Sequence, residues 1–138
     1  DTNKGDGGIV VIGYVIVGTN DLPRAAGFYD ALLGEMGAQR FMASDRFIAW
    51  GVDPAKPMFS IAKPYDGNPA THGNGSMNAF AVDSSDKVDA LYSKAMELGA
   101  TDEGAPGERM KGFYAGYFRD LDGNKLNFYF MNPAEMGK

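Results

Sequence analysis

The fold is decided by residues 9–34, IVVIGYVIVGTNDLPRAAGFYDALLG. Residues 9–17 are short and rich in β-branched side chains, and this composition predicts a buried strand. Asn20 or Asp21 can then cap a helix, and Pro23 suits its first turn. Apolar residues recur at helical spacing from there to Met36, with glycines at the end as a stop signal. The stretch therefore predicts a strand followed directly by a helix.

The same order of elements restarts in the second half of the chain. Three strand-like runs follow the first helix, at residues 39–42, 46–52 and 58–63. After a loop rich in Gly, Pro and Asn come a strand, a helix capped by Ser84 or Ser85, and a hairpin around Asp122-Gly123-Asn124. We therefore predict an α+β domain of two βαβββ modules, residues 9–63 and 76–132, joined by a loop at 64–75.

Neither module can bury both faces of a four-stranded sheet with one helix. We expect the two modules to form a curved mixed sheet with the helices on its convex face. The concave face would then be a cup, which is the usual shape of a small-molecule site. The segment 104–112, GAPGERMKG, is interpreted as a mobile loop that could close over the cup.

Three motifs of the chain resemble the vicinal oxygen chelate superfamily, which includes glyoxalase I, bleomycin resistance proteins and extradiol dioxygenases. The motifs are GTNDL at 18–22 followed by Phe28-Tyr29, LGA at 98–100, and RDLDGNKL at 119–126. The resemblance runs from about Gly13 to Asn132. It implies the two-module fold, and it implies that the protein is a divergent member of the family.

The resemblance also implies where a metal ion would be bound. Matched by position, the two strands that open the modules present Tyr14 and Met77, with Asn78 as the alternative to Met77. The two strands that close them present Ser60 and Asn127. None of these residues is His, Asp or Glu, the side chains that bind Zn²⁺, Mn²⁺ or Fe²⁺ well. We therefore expect no metal ligands and no cofactor.

Several polar and aromatic side chains are predicted to line the cup instead. Tyr14, Asn127 and Tyr129 share an alternation that could place them together, either as ligand-binding groups or as a polar core plug that bonds to itself. The remaining predicted substrate-binding residues are Trp50, Ser60, Met77, Asn78, Arg109 and Tyr117.

The function predicted first is metal-independent binding of a small organic molecule in the cup. The alternatives are a glyoxalase-type lyase, isomerase or transferase, and a dimeric interaction module without a ligand. An enzyme of this kind would either use Tyr14 or His72 as the acid or base without a metal ion, or use a metal site at positions other than the four matched above. His72 is interpreted first as a solvent-facing loop residue, because it is the only histidine of the chain.

The composition narrows the partners. A net charge of −5 with scattered basic residues argues against nucleic acid as a binding partner. No apolar run is long enough to cross a membrane. The absence of cysteine fits a cytoplasmic protein. A homodimer is expected from the family resemblance. Residues 1–8, DTNKGDGG, are expected to be disordered or derived from an expression vector.

Overall fold

The computed structural model describes residues 9–137, so the expectation for residues 1–8 lies outside the described part of the chain. Two helices and eight strands follow one another in the order β, α, β, β, β, twice. They are β1 (Tyr14–Gly18), α1 (Leu22–Gly34), β2 (Gln39–Ala43), β3 (Phe47–Gly51), β4 (Met58–Ala62), β5 (Asn78–Ala81), α2 (Ser85–Glu97), β6 (Thr101–Met110), β7 (Phe113–Arg119) and β8 (Lys125–Met131).

The strands form two sheets of the same topology. Their orders are β1-β4-β3-β2 and β5-β8-β7-β6. In each sheet the first strand of the module pairs in parallel with the last, and the other neighbours are antiparallel. The predicted fold class, α+β with two βαβββ modules, is confirmed.

Both helices begin at the predicted caps. The Asp21 side chain accepts a hydrogen bond from the backbone N–H of Arg24, and Ser84 accepts one from Lys87. Each cap satisfies a backbone N–H that has no partner within the helix. The two helices are 13 residues long each, and neither is long and apolar enough to cross a membrane.

One hydrophobic core lies between the helices and the two sheets. Phe59 of the first sheet and Phe80 of the second meet edge to face, with ring centroids 5.1 Å apart. Polar contacts also join the modules, because Tyr29 of α1 donates a hydrogen bond to the buried Asp120 at 2.5 Å. Asn124 of the second module donates to the backbone oxygen of Gly18 at 2.9 Å.

Two segments differ from the sequence-based expectation. The predicted first strand begins five residues late, at Tyr14, and Ile9 and Val11 are 97% and 91% exposed. Its partner β4 begins only at Met58, whose N–H bonds to the oxygen of Gly13. Earlier residues therefore have no strand beside them to supply hydrogen bonds.

The segment predicted as a mobile loop at 104–112 is mostly the edge strand β6. It pairs with β7, and the pairing register shifts at three places between Asp102 and Met110. These irregularities accommodate Pro106 and the glycines. Proline has no N–H to donate, and an edge strand tolerates it because one side of such a strand makes no ladder hydrogen bonds. The prediction of a mobile loop was wrong because Gly and Pro were given more weight than the requirement for a fourth strand.

Candidate ligand-binding site

The two sheets each have one side that the helices do not cover. In β1, Val15 and Val17 pack against the core, whereas Tyr14 and Ile16 are 60% and 48% exposed. We call the uncovered sides the open faces. The first open face consists of Tyr14, Ile16, Ala49, Met58 and Ser60, and the second of Met77, Ala79, Ala81, Ala115, Tyr117, Asn127 and Tyr129.

The internal repeat relates the predicted residues to one another in pairs. Tyr14 precedes the cap Asp21 by the same number of residues as Met77 precedes the cap Ser84, so Tyr14 and Met77 are equivalent. The strand registers show in the same way that Ser60 and Asn127 are equivalent. Ser60 lies beside Ile16 and Ala49 in the first sheet. Asn127 lies beside Ala79 and Tyr117 in the second.

Ser60 and Asn127 are also alike in being buried with a polar atom that has no partner. The two residues are 0% and 2% exposed, and neither Ser60 Oγ nor Asn127 Oδ1 makes a hydrogen bond with the described part of the chain. The Asn127 amide nitrogen makes only a long contact of 4.0 Å, with Met77 Sδ. Buried polar atoms are nearly always paired, so two exceptions at equivalent positions call for an explanation.

Aromatic and cationic side chains complete the second open face. Tyr129 stacks on Phe113 with ring centroids 5.6 Å apart. The Tyr117 ring has two cations near it, Arg109 Cζ at 5.3 Å and Lys125 Nζ at 5.7 Å from its centroid. Six of the predicted residues, Met77, Asn127, Tyr117, Tyr129, Tyr14 and Ser60, therefore lie on the open faces, and Arg109 borders them.

Three predicted residues lie elsewhere. Trp50 is 1% exposed in the core, and its indole N–H donates to Asp30 at 2.9 Å. Asn78 pairs with the core residue Leu126, so it faces the helices. His72 lies against Gly123 in the β7–β8 turn, next to the end of β1 at Gly18, whereas Tyr14 begins that strand. The two predicted acid/base residues are therefore not brought together.

The phenols with a raised pKa lie on the helix side of the sheets. Burial, and then the nearby Asp120 carboxylate, raises the pKa of Tyr29 well above its usual range. Burial and a hydrogen bond to Asp102 raise the pKa of Tyr92 to about 12. Both hydroxyls are donors to a carboxylate. A hydroxyl held in this way remains protonated, so these groups stabilise the fold and are poor proton acceptors.

The residues at the four positions where the resemblance implies a metal site do not fit a divalent cation. Tyr14, Ser60, Met77 and Asn127 offer a phenol, a hydroxyl, a thioether and an amide, with no imidazole or carboxylate among them. Residues 9–137 contain no group of three or more His, Asp or Glu side chains placed to hold a metal ion.

Phe113 and Lys125, whose side chains border the second open face at Tyr129 and Tyr117, were not among the predicted substrate-binding residues. Lys125 alternates with Asn127 and Tyr129 along β8, so the two-residue period of a strand could have identified it. Phe113 starts β7 beside Met131, and nothing in its local sequence separates it from the core aromatics.

Two clefts lie beside the helices, and Ala81 of the second open face lines one of them. One of about 590 Å³ lies between the end of α1 and the start of α2, and one of about 790 Å³ lies beside the start of α1. The first cleft contains the ion pair of Lys87 with Asp83 at 2.8 Å, and Arg40 of the second is paired with Asp30 at 2.7 Å. The open faces, with unpaired polar atoms, are therefore the better candidate site.

Comparison with known proteins shows the family of the chain. The family model of the Glyoxalase/Bleomycin resistance protein/Dioxygenase superfamily matches residues 11–128. A glyoxalase/bleomycin resistance protein from Albidiferax ferrireducens T118 is 40% identical, with a TM-score of 0.81 over 89% of this chain and 100% of that one.

More distant structures share the fold. A glyoxalase/bleomycin resistance protein/dioxygenase family enzyme from Burkholderia phytofirmans PsJN is 23% identical, with a TM-score of 0.71 over 87% of this chain and 98% of that one. A lactoylglutathione lyase from Agrobacterium tumefaciens is 18% identical, with a TM-score of 0.66 over 89% of this chain and 95% of that one. No curated protein sequence matches the chain.

Proposed function

Because the chain belongs to the glyoxalase/bleomycin resistance protein/dioxygenase superfamily, we propose that it binds a small organic molecule on its open faces without the help of a metal ion. The observation that carries this proposal is the pair Ser60 and Asn127. Each is buried at the position where the family's last strand meets a ligand, and each has a polar atom without a partner.

An unpaired buried oxygen costs free energy that a ligand can recover. Leaving such an atom without a hydrogen bond costs about 1–3 kcal/mol. A ligand N–H or O–H that reaches Asn127 Oδ1 would remove that cost and add a directed contact. The neutral character of Tyr14, Ser60, Met77 and Asn127 supports recognition by hydrogen bonds and apolar contact at these four positions, with no charge supplied by a metal ion.

Access to Asn127 depends on Met77. The thioether lies 4.0 Å from the Asn127 amide and the Met77 side chain is 44% exposed, so one flexible, partly solvated side chain lies beside the amide. Methionine has three rotatable side-chain bonds and adapts to irregular neighbours. A ligand that displaces Met77 would take over its place against the amide and reach the unpaired oxygen.

The direct test is NMR titration of ¹⁵N-labelled protein with two neutral probes, indole-3-acetamide and 2-naphthamide. We expect chemical-shift changes at the Asn127 side-chain amide and at the backbone of Ala79 and Tyr117. In Asn127→Leu the affinity should fall about 3- to 10-fold, which corresponds to one lost hydrogen bond. Dialysis against a chelator should leave the affinity unchanged.

The matched control is Asn78→Leu. Asn78 is one strand away but faces the helices, so its replacement should leave probe binding intact. If Asn78→Leu weakens binding and Asn127→Leu does not, the ligand uses the other side of the sheet. If neither probe shifts any open-face resonance, or if binding returns only with added Zn²⁺ or Mn²⁺, the proposed function fails.

A second candidate, self-association, has an observation of its own in its favour. The apolar residues Ile9, Val10, Val11 and Ile12 are all exposed, and they lead into β1, which is the outermost strand of its sheet. An outer strand has unpaired backbone groups along one side and readily adds another strand. We propose that a second copy of the chain covers this edge, giving a homodimer.

Light scattering coupled to size-exclusion chromatography tests the dimer. We expect Val11→Asp to shift the protein to the monomer, because a buried carboxylate at the new interface would have no partner. The control is Met42→Asp, at β2 on the far edge of the same sheet, where the methionine is 56% exposed. A wild-type monomer, or equal effects of the two substitutions, would contradict the assignment of this edge.

A further inference from the structure

Two cations share one aromatic ring on the second open face. Tyr117 lies beside Asn127, with Arg109 Cζ 5.3 Å and Lys125 Nζ 5.7 Å from its ring centroid. We propose that Arg109, Lys125 and Tyr117 form a binding site for a carboxylate group, so that the ligand is a carboxylic acid with an apolar body. This inference rests on the proposed function, because it names the chemical class of the molecule bound there.

The irregular strand β6 is shaped to hold the guanidinium of Arg109. The Arg109 side chain folds back along its own strand and donates from Nη2 to the backbone oxygen of Ala105. A Cβ atom at Gly107 would lie 3.0 Å from Nη1, and one at Gly104 would lie 3.3 Å from Nη2. Gly104 also has a φ of +150°. Side chains at these two positions would push the guanidinium away from Tyr117.

The register shifts of β6 fall on both sides of these glycines. The pairing with β7 is irregular between Asp102 and Gly104 and between Gly104 and Gly107. Irregularities of this kind redirect side chains and are frequent next to binding sites. Here they give Arg109 a fixed position over the ring of Tyr117, since the ring and the Ala105 oxygen hold the guanidinium from two directions.

Neither cation is neutralised within residues 9–137. Of the nearby acids, Glu103 pairs with Arg119 at 3.2 Å and Glu108 accepts the backbone N–H of Gly112. Arg109 and Lys125 have no carboxylate partner among the described residues, although the whole chain has a net charge of −5. Two uncompensated cations at one place in an acidic protein favour an anion as the missing partner.

The chemistry of the pair favours a carboxylate. A guanidinium is planar and presents parallel N–H donors that match the two oxygens of a carboxylate, and stacking on a ring keeps that plane ordered. Lys125 adds a point charge near the same ring. The neighbouring part of the open face, Ala79, Ala115 and the stacked pair Tyr129 and Phe113, is apolar apart from the phenol oxygen. It would accommodate the body of such an acid.

Matched acids and amides test the proposal. Three pairs are titrated by NMR: indole-3-acetate with indole-3-acetamide, 2-naphthoate with 2-naphthamide, and benzoate with benzamide. In each pair the two molecules have the same shape and differ in charge. We expect the acid to bind about 10-fold or more tightly than its amide, as charge-assisted hydrogen bonds usually exceed neutral ones by that amount. Added salt should weaken only the acids.

Substitutions then assign the preference to the two cations. Arg109→Met and Lys125→Met should each reduce the preference for the acid, and the double variant should abolish it, so that each acid binds no more tightly than its amide. Lys94→Met, which removes a cation from α2 on the opposite side, should keep the full preference. The melting temperature and the amide spectrum of each variant show that it is folded.

The outcomes separate this inference from the proposed function. If acids and amides bind wild type equally well at the open face, the carboxylate site is refuted and the proposed function stands. If no member of any pair binds, both fail. If phenyl phosphate binds more tightly than benzoate and loses that advantage in the double variant, the cations recognise phosphate, and the assignment to carboxylic acids is overturned.

Discussion

The two sides of β8 have the same backbone and opposite properties. On the helix side, Leu126 and Phe128 are fully buried, and the Phe128 ring lies 5.4 Å from both Phe118 and Phe80. On the open side, Asn127 is as deeply buried but has an oxygen with no partner among residues 9–137. The side chains on the helix side are packed within the chain itself, whereas the open side has a buried acceptor without a hydrogen bond.

The first module repeats this contrast in β4. Phe59 and Ile61 belong to the core, and Ser60 between them is buried with its hydroxyl unpaired. A single unpaired atom could be an accident of packing. The same feature at equivalent positions of two modules indicates a property of the repeated unit. The two open faces differ, because two cations lie near Tyr117 in the second one. A bound molecule would therefore meet two unlike surfaces.

The largest expected effect is on the helix side. Phe128→Ala should lower the free energy of unfolding by about 3–5 kcal/mol, because it removes a ring from the centre of the core. Urea denaturation followed by circular dichroism measures this. The adjacent Asn127→Ala should cost less than half as much. Equal losses for the two variants would remove the contrast between the two sides of β8.

The next effect concerns the contact between modules. Tyr29→Phe removes the hydrogen bond to Asp120 and should cost about 1–3 kcal/mol, since the carboxylate remains buried. The pKa of Tyr29 is raised in the folded protein, so its contribution is present at neutral pH and is lost as the pH rises above about 10. Wild type should therefore lose stability more steeply than the variant in alkaline urea titrations. Parallel curves would contradict this role.

A smaller effect is expected where α1 meets β3. Asp30 accepts hydrogen bonds from Arg40 and from the buried indole of Trp50. The hydrogen bonds from Arg40, and then the one from Trp50, hold the pKa of Asp30 below its usual range. Asp30→Ala should cost about 1–2 kcal/mol at pH 7, because the indole N–H is left unpaired.

The pH dependence gives this prediction a second measurement. A lowered pKa means that the contribution of Asp30 is present at neutral pH and disappears as the pH falls below about 4. The difference in stability between wild type and Asp30→Ala should shrink over that range. Asp30→Asn, which keeps an acceptor for the indole, should lose less than Asp30→Ala at pH 7. If the difference in stability between wild type and Asp30→Ala stays constant down to pH 2, the ionised Asp30 carboxylate is not the stabilising form.

The smallest effect is expected on the open side, with the opposite sign. Ser60→Ala replaces a buried, unpaired hydroxyl with a hydrogen atom and should raise stability by up to about 1 kcal/mol. Ser93→Ala on the exposed surface of α2 is the control and should change little. A loss of more than 1 kcal/mol in Ser60→Ala would mean that the hydroxyl has a stabilising partner in the protein.

Much of the site could be predicted from the sequence, because alternation along a strand assigns side chains to faces. Asn127 and Tyr129 were placed together in this way, and β8 has them on one face. Trp50 was placed in the cup although it lies in the core. In β3 both faces are apolar and buried, so a two-residue period gives no information about which side a residue takes.

The sequence by itself determined the two modules, the places where both helices begin to within one residue, and the absence of metal-type side chains at Tyr14, Ser60, Met77 and Asn127. These follow from local spacing and residue type. Only the tertiary structure decided that β6 is a strand, that Ser60 and Asn127 have unpaired oxygens, and that Arg109 and Lys125 meet at Tyr117. Each of these depends on which strands lie side by side, and residues far apart in the chain set that pairing.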